Sequence, residues 1–333
     1  TKLWNGNSST QAITGVGFSP DFVWGKQRTS TENHQLLDVL RGANNILVSN
    51  NDTPNTPDTN ILNSFDSDGF TVGNQNQLND TGATYVGWNW KAGTTSGIAT
   101  DGSSNITPSG YSFNTTSKFS VIKWSGTGVD GAYLPHGLGV APSVAIIKKT
   151  SASEEWVVYH IGLGSNQSYL RLNNTAAQVT SSGIWYSYTP DATNIRLSND
   201  TWVNASGSDY VGYFFSNTSG YQKHGSYAGN GNNDGAFVYT GFKPAWIMFK
   251  RIDSAESWIM ADNKRDSYNF VTKYLEADAN SAEGSGVNYD FLSNGFKFNT
   301  TSQNTGGATY IYMAFAEAPF VANSGESIPT TAR

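Results

Sequence analysis

Carboxylates and imidazoles are the side chains best able to move protons, and three of them hold matching places in this 333-residue chain. Asp38, His160 and Asp262 each close a short apolar run, and each stands twelve residues after a lysine: Lys26, Lys148 and Lys250. Cleaving a glycosidic bond needs two carboxyl groups about 5 to 9.5 Å apart. A position filled once per repeat by whichever polar residue fits reads instead as a strand end or turn, so no catalytic residue is assigned. Glu154 and Glu155 are adjacent and would face opposite ways along a strand, which argues against a dyad. The four histidines, His34, His136, His160 and His224, lack short metal-ligand spacing. Asp66-Ser67-Asp68-Gly69 begins like a calcium loop but lacks the downstream Glu; a β-turn accounts for it. Gly229-Asn230-Gly231 is followed neither by Lys-Ser/Thr nor by a helix, so it is no phosphate loop. There is no Cys, which removes disulfides, thiolate catalysis and thiolate-bound zinc together. No metal and no cofactor is expected.

Aromatic side chains carry the binding expectation. Trp185, Tyr186 and Tyr188 fall in the loop from Ser181 to Thr193 and have no clear counterparts elsewhere in the chain. A Trp or Tyr face stacks on sugar C–H surfaces, while neighbouring Asn, Ser and Asp bind hydroxyls. These three are the candidate glycan ligands, with an ordinary buried hairpin as the alternative. Trp24, Trp156, Trp246 and Trp258 sit at repeated strand positions and are expected in the core.

The elements that must position these residues recur three times. Gly17-Phe18-Ser19-Pro20-Asp21-Phe22-Val23-Trp24-Gly25-Lys26 returns as Gly139 to Lys148 and again as Gly241 to Lys250. Phe70, Ile195 and Phe296 precede the closing runs that start at Tyr85, Tyr210 and Tyr310 by fifteen, fifteen and fourteen residues. Each unit opens alike, at Trp4-Asn5-Gly6, Trp124-Ser125-Gly126 and Tyr227-Ala228-Gly229. Such self-similarity sets the architecture. Short runs rich in β-branched and aromatic residues between Gly, Asn, Ser and Pro clusters predict strands. Tight turns with positive φ are expected at Asp68-Gly69 and Asn294-Gly295, and one helical turn or two within Tyr268 to Ala282. The reading is all-β: three tandem jelly-roll-like β-sandwich units, with a six-bladed propeller as the alternative. Unit one spans 1–92, a connector 93–117, unit two 118–215, unit three 221–320, and an extended tail 321–333.

Composition narrows the function classes. Lys plus Arg number 20 against 26 Asp plus Glu, and charged residues make up 14% of the chain, where about 25% is usual. With no basic cluster, the chain lacks the electrostatic footprint of nucleic-acid binding. No apolar run reaches the roughly 18 residues of a membrane span, and Thr1-Lys2-Leu3-Trp4 does not read as a secretory signal.

Several of these phrases together resemble a repeat domain common in tail-fibre and other virion proteins of marine and aquatic bacteriophages. They include Gly15 to Trp24, Leu40-Arg41-Gly42-Ala43-Asn44-Asn45, Ser64 to Thr71, Tyr239 to Trp246, Phe291 to Lys297 and Tyr310 to Glu317. The resemblance covers almost the whole chain and implies a structural protein on the particle exterior: tail fibre, spike or capsid decoration. It brings no catalytic or ligand residues with it. Such domains often end a longer fibre, and the shortness of this chain suits a separate decoration or spike protein equally. The expected partners are other virion proteins, further copies of the chain and a host cell-surface glycan, with neither nucleic acid nor membrane insertion. Two alternatives stand beside this: a subunit of a bacterial extracellular filament or adhesin, and a virion-associated glycan-degrading enzyme.

Overall fold

The computed structural model describes residues 1–317; the tail 321–333 and the last residues assigned to unit three lie outside them. The protein is all-β, and the strands of the described residues form six sheets. Among those residues helix is confined to Asn76–Asn79, Ser182–Trp185 and a 3-10 turn at Ile161–Leu163. The stretch Tyr268 to Ala282, where helix was expected, contains the strand Val271–Glu276 instead. Its Val, Thr and Tyr residues suit a pleated surface, and pairing with Gly284–Leu292 decides the outcome.

A four-stranded module appears three times in the same order. An opening strand pairs with a closing strand, which pairs with the lysine-bearing strand, which pairs with the strand ending at 38, 160 or 262. In the first segment these are Lys2–Asn5, Thr84–Trp90, Phe22–Gln27 and Gln35–Asp38. In the second they are Phe119–Ser125, Asp209–Phe215, Val144–Lys149 and Val157–His160. In the third they are Gln222–Ala228, Thr309–Ala316, Pro244–Arg251 and Ile259–Asp262. The stretch 93–117, expected to be a connector, supplies the strand Gly110–Asn114, which extends the second module at its edge.

Successive strand residues point to opposite faces, and here both faces are buried. In the first segment Val23 and Tyr85 face a local core with Trp4, Phe70 and Val72, while Phe22, Trp24, Trp88 and Trp90 face the other way. The second segment sends Ala145 and Ile147 into its own core and Val144 and Ile146 across. The third does the same with Ile247 and Phe249 against Trp246 and Met248. The outward-turned sets from all three segments meet in one shared cluster that includes Trp24, Trp156, Trp246 and Trp258. The three modules therefore close around a common aromatic core and are not beads on a string.

Backbone hydrogen bonds join the modules in a ring. Glu154 N donates to Asp52 O (3.0 Å) and Asn55 N to Thr150 O (3.0 Å), which joins the second segment to the first. Glu256 N donates to Thr175 O (3.0 Å) and Gln178 N to Ile252 O (2.9 Å), which joins the third to the second. Glu32 N donates to Asn280 O (3.0 Å) and Glu283 N to Arg28 O (2.8 Å), which joins the first to the third. Glu32, Glu154 and Glu256 each lie six residues after the lysine of their segment. The ring closes.

The two hairpins expected at Asp68-Gly69 and Asn294-Gly295 are present with a different turn. Asp66 pairs with Gly69 and Leu292 with Gly295, so the turn residues are Ser67-Asp68 and Ser293-Asn294, and neither Asp68 nor Asn294 has positive φ. Each glycine instead begins the next strand. A Cβ on Gly69 would stand 2.0 Å from Ile13 O, and one on Gly295 would stand 2.2 Å from Val238 O. Close approach of the neighbouring strand demands glycine at both, and at Gly69 the positive φ expected of the turn, 146°, demands it as well.

Candidate functional site

Asp38 and Asp262 are consumed by structure. Asp38 Oδ1 accepts from Leu40 N (3.0 Å) and Arg41 N (2.9 Å), and its Oδ2 accepts from Arg41 Nε at 2.6 Å. Asp262 repeats this with Lys264 N, Arg265 N and Arg265 Nε. Each arginine then returns to its own strand, at Leu36 O and Met260 O. Both carboxylates also receive a donor from the next module round: Tyr213 Oη reaches Asp38 Oδ2, and Trp88 Nε1 reaches Asp262 Oδ2. Burial works against charge on Asp262, yet Arg265, helped by Trp88, holds its carboxyl below the usual range.

His160 takes the third equivalent place with different chemistry. Its Nδ1 accepts from Gly162 N (2.9 Å), as the aspartate oxygens accept from their turns, and its Nε2 faces Tyr312 O at 3.0 Å. An acceptor at one nitrogen and a donor at the other define a neutral imidazole protonated on Nε2. Burial lowers its pKa to about 4. The residue four places earlier shows the same cyclic rule: Trp156 Nε1 donates to Val48 O, Trp258 Nε1 to Arg171 O, and His34 Nε2 faces Glu276 O. All four histidines are buried, and among the described residues no His, Asp or Glu cluster could hold a metal.

The lysine that marks each repeat is buried as well. The amine groups of Lys26, Lys148 and Lys250 donate to the carbonyls of Gln27, Lys149 and Arg251. Burial lowers all three to about 8.

What remains for ligand contact is the surface. Of the three aromatic residues proposed as glycan ligands, the structure withdraws Trp185: it is 1% exposed, and its indole donates to Ser168 O. Tyr186 follows the short helix in a left-handed conformation, φ 48°, and stays exposed. Its ring lies under the Arg196 guanidinium, 4.1 Å from Cζ to centroid. Arg196 also covers Tyr133 at 4.9 Å and lies 6.0 Å from the Tyr188 ring, and its Nε is held by Gly131 O. Tyr188 packs edge-on against Tyr133 and donates to Asp191. Tyr186 opens onto a depression of about 480 Å³ that is otherwise polar, lined by Asp130, Ser182, Ser187, Asn199 and Asp200 among others. The structure thus brings Tyr186 and Tyr188 together around Arg196 and removes Trp185 to the core.

Residues 1–319 match the family described as a domain of unknown function, DUF7483. The chain belongs to this family. No curated protein matches it, and no solved structure does.

Two features of this DUF7483 domain lie outside the sequence reading. One is a set of exposed rings on the third segment: Phe237 (46% exposed) and Tyr239 (64%) on one strand, with Tyr268 (85%) and Phe270 (52%) in the loop before another. Phe237 and Tyr239 alternate with buried Val238, so period-two alternation was the available signal. The other is a set of buried asparagines, each six residues before a closing-run tyrosine. Asn79, Asn204 and Asn304 accept from Asn7 N, Thr127 N and Asn230 N and so hold the three opening loops. Their constant spacing was legible, but an Asn-rich composition hid it.

Proposed function

We propose that this chain is a structural protein of the exterior of a bacteriophage particle, and that its exposed aromatic side chains contact host-surface carbohydrate. The reading rests on the likeness of its repeated phrases to phage virion domains and on one structural observation. The charged and imidazole groups at the repeated positions are tied into turns and seams, whereas the open polar depression presents a Tyr186 ring beside hydroxyl, amide and carboxylate groups. Tyrosine stacked under arginine is a rigid ring with a polar rim, suited to a sugar face. Single contacts of this kind are weak, and many copies on one particle multiply them, by factors on the order of 10² to 10⁴ where geometry allows.

Two measurements test it. Antibody raised against the chain should decorate intact phage particles in negative-stain images; particles bare of label would remove the virion assignment. The purified protein should be retarded in native gels cast with at least one of dextran, mannan, xylan or laminarin, and Tyr186→Ala should migrate as in a plain gel. Retardation of neither protein by any of the four would remove the carbohydrate assignment.

A further inference from the structure

The three seams of the ring are built to one plan but not of one chemistry. Between the first and second segments, Tyr213 meets the Asp38–Arg41 pair. Between the third and first, Trp88 meets the Asp262–Arg265 pair, and Arg28 adds a two-pronged bond to Glu283 at 2.8 and 2.9 Å. The seam between the second and third segments has neither. His160 stands where the others have Asp, and Leu163 stands where the others have Arg. Among the described residues no salt bridge crosses this seam.

A second histidine faces His160 there. His224, on the opening strand of the third segment, lies edge-on to it with ring centroids 6.4 Å apart and is 2% exposed. Phe215 and Phe315 flank the His224 ring at 6.3 and 5.8 Å. Its Nε2 lies 3.3 Å from Gln222 Oε1, and its Nδ1 has no partner. The groups facing the pair are the two phenylalanine rings, the Tyr312 carbonyl, the Gly162 amide and Gln222. The charged residue that bears on His224 is Lys223, which repels a proton, and no carboxylate offsets it.

We propose that the seam between residues 118–215 and 221–317 is an acid-triggered joint, at which protonation of the His160–His224 pair opens this interface ahead of the two aspartate–arginine seams. A proton on His160 Nδ1 would turn its Gly162 N–H contact from attraction into repulsion. A proton on His224 would put a charge between two phenylalanine rings with no counter-ion. Opening this seam frees both nitrogens to be solvated. Burial lowers the pKa of both histidines, His160 to about 4, so the open form takes up protons more readily below about pH 6.5. His34 is a further buried imidazole, at the seam between the third and first segments. Its Nδ1 accepts from Trp24 Nε1, its Nε2 faces Glu276 O across that seam, and its pKa is lowered to about 3. Acid therefore favours opening there by a single histidine's factor, against the Asp262–Arg265 and Arg28–Glu283 pairs that the second seam lacks.

Hydrogen–deuterium exchange of the whole protein at pH 7.5 and pH 5.0, corrected for the intrinsic rate, reads the three seams separately through their bridging amides. Gln178 and Glu256 report the proposed joint. Asn55 and Glu154 report the first seam, and Glu32 and Glu283 the third. For one histidine shifted from 6.5 to about 4, opening at pH 5.0 is favoured about thirtyfold over neutral pH. Peptides containing Gln178 and Glu256 should therefore lose at least that much protection and the most of the three seams, with Asn55 and Glu154 unchanged and Glu32 and Glu283, which share a seam with His34, losing less. Equal loss at all three seams, or no loss at the second, overturns the proposal. The double variant His160→Asn, His224→Gln keeps neutral donors and acceptors at both positions and should abolish the acid response. An unchanged response in that variant also overturns the proposal. If the variant does not fold, the comparison of the three seams in the natural protein decides alone.

Discussion

The Tyr213 hydroxyl lies 2.8 Å from Asp38 Oδ2, a bond between residues 175 positions apart in the chain. Burial pushes the Tyr213 pKa well up, so the hydroxyl is a donor at neutral pH. Removing only that hydroxyl, in Tyr213→Phe, deprives a buried carboxylate of one of its donors. Hydrogen bonds to charged groups are worth about 1.5–3 kcal/mol, and a loss of that size is expected in urea titration with an unchanged slope. Asp38→Asn should cost more, about 3–5 kcal/mol, because Arg41 is left buried without its counter-charge. Equal, negligible losses in both variants would show that the seam is not held here.

A core shared by three segments predicts cooperative unfolding. Trp90 of the first segment packs on Phe215 of the second at 6.1 Å and on Trp246 and Phe315 of the third at 5.8 and 5.7 Å. Among the described residues the three inner faces pack on one another in a single cluster. Calorimetry at pH 7.5 should show a single transition whose calorimetric and van't Hoff enthalpies agree. Trp90→Ala should lower its stability by about 3–5 kcal/mol and shift the whole transition. Three resolved transitions, or one segment melting alone at neutral pH, would contradict the common core.

The buried lysines set a pH dependence of defined sign. Burial lowers Lys26, Lys148 and Lys250 from 10.5 to about 8. Between those values the unfolded chain holds protons that the native chain has released, so stability rises with pH. Each lysine contributes about 1–2 kcal/mol of rise between pH 8 and 10. Above pH 10 the buried tyrosines, raised by desolvation, act in the opposite sense, so urea midpoints are best compared from pH 8 to 10. Lys148→Met should reduce the rise by roughly one third. A midpoint that falls across this window would refute the assignment.

The repeat was legible because its landmarks lie on single strands: the lysine phrase, the polar residue twelve places on and the closing run. Their burial was legible in part. Strands covered on both faces read as continuous apolar runs, so nothing separates Val23, which faces its own core, from Trp24, which faces the shared one. The seams left only half a mark: their donors Glu32, Glu154 and Glu256 recur six residues after each lysine, but the accepting carbonyls belong to Asp52, Thr175 and Asn280, whose side chains have nothing in common. Trp185 was misplaced for a related reason. Its loop reads as exposed from the surrounding Ser, Gly and Thr, and only pairing with the Ser168 carbonyl, seventeen residues earlier, turns the indole inward.

The opening loops supply the last prediction. Asn204 is buried; its Oδ1 accepts from Thr127 N at 2.9 Å and its Nδ2 donates to Val129 O at 3.0 Å. Asn204→Ala leaves the Thr127 amide and the Val129 carbonyl without their partner, at an expected cost of about 1–3 kcal/mol. Asn204→Asp keeps the acceptor and loses the donor, so it should recover part of that loss. Gly126, beside the same loop, offers an independent check. A Cβ there would stand 2.1 Å from Ala205 O, against backbone that cannot yield cheaply, so Gly126→Ala should cost at least about 2 kcal/mol. Gly207 has positive φ but open space around it, and Gly207→Ala should cost only about 1–2 kcal/mol. Thermal melts of the four variants rank these costs. If Gly207→Ala proves the most damaging, close packing of the opening loop is not what the glycine and the asparagine secure.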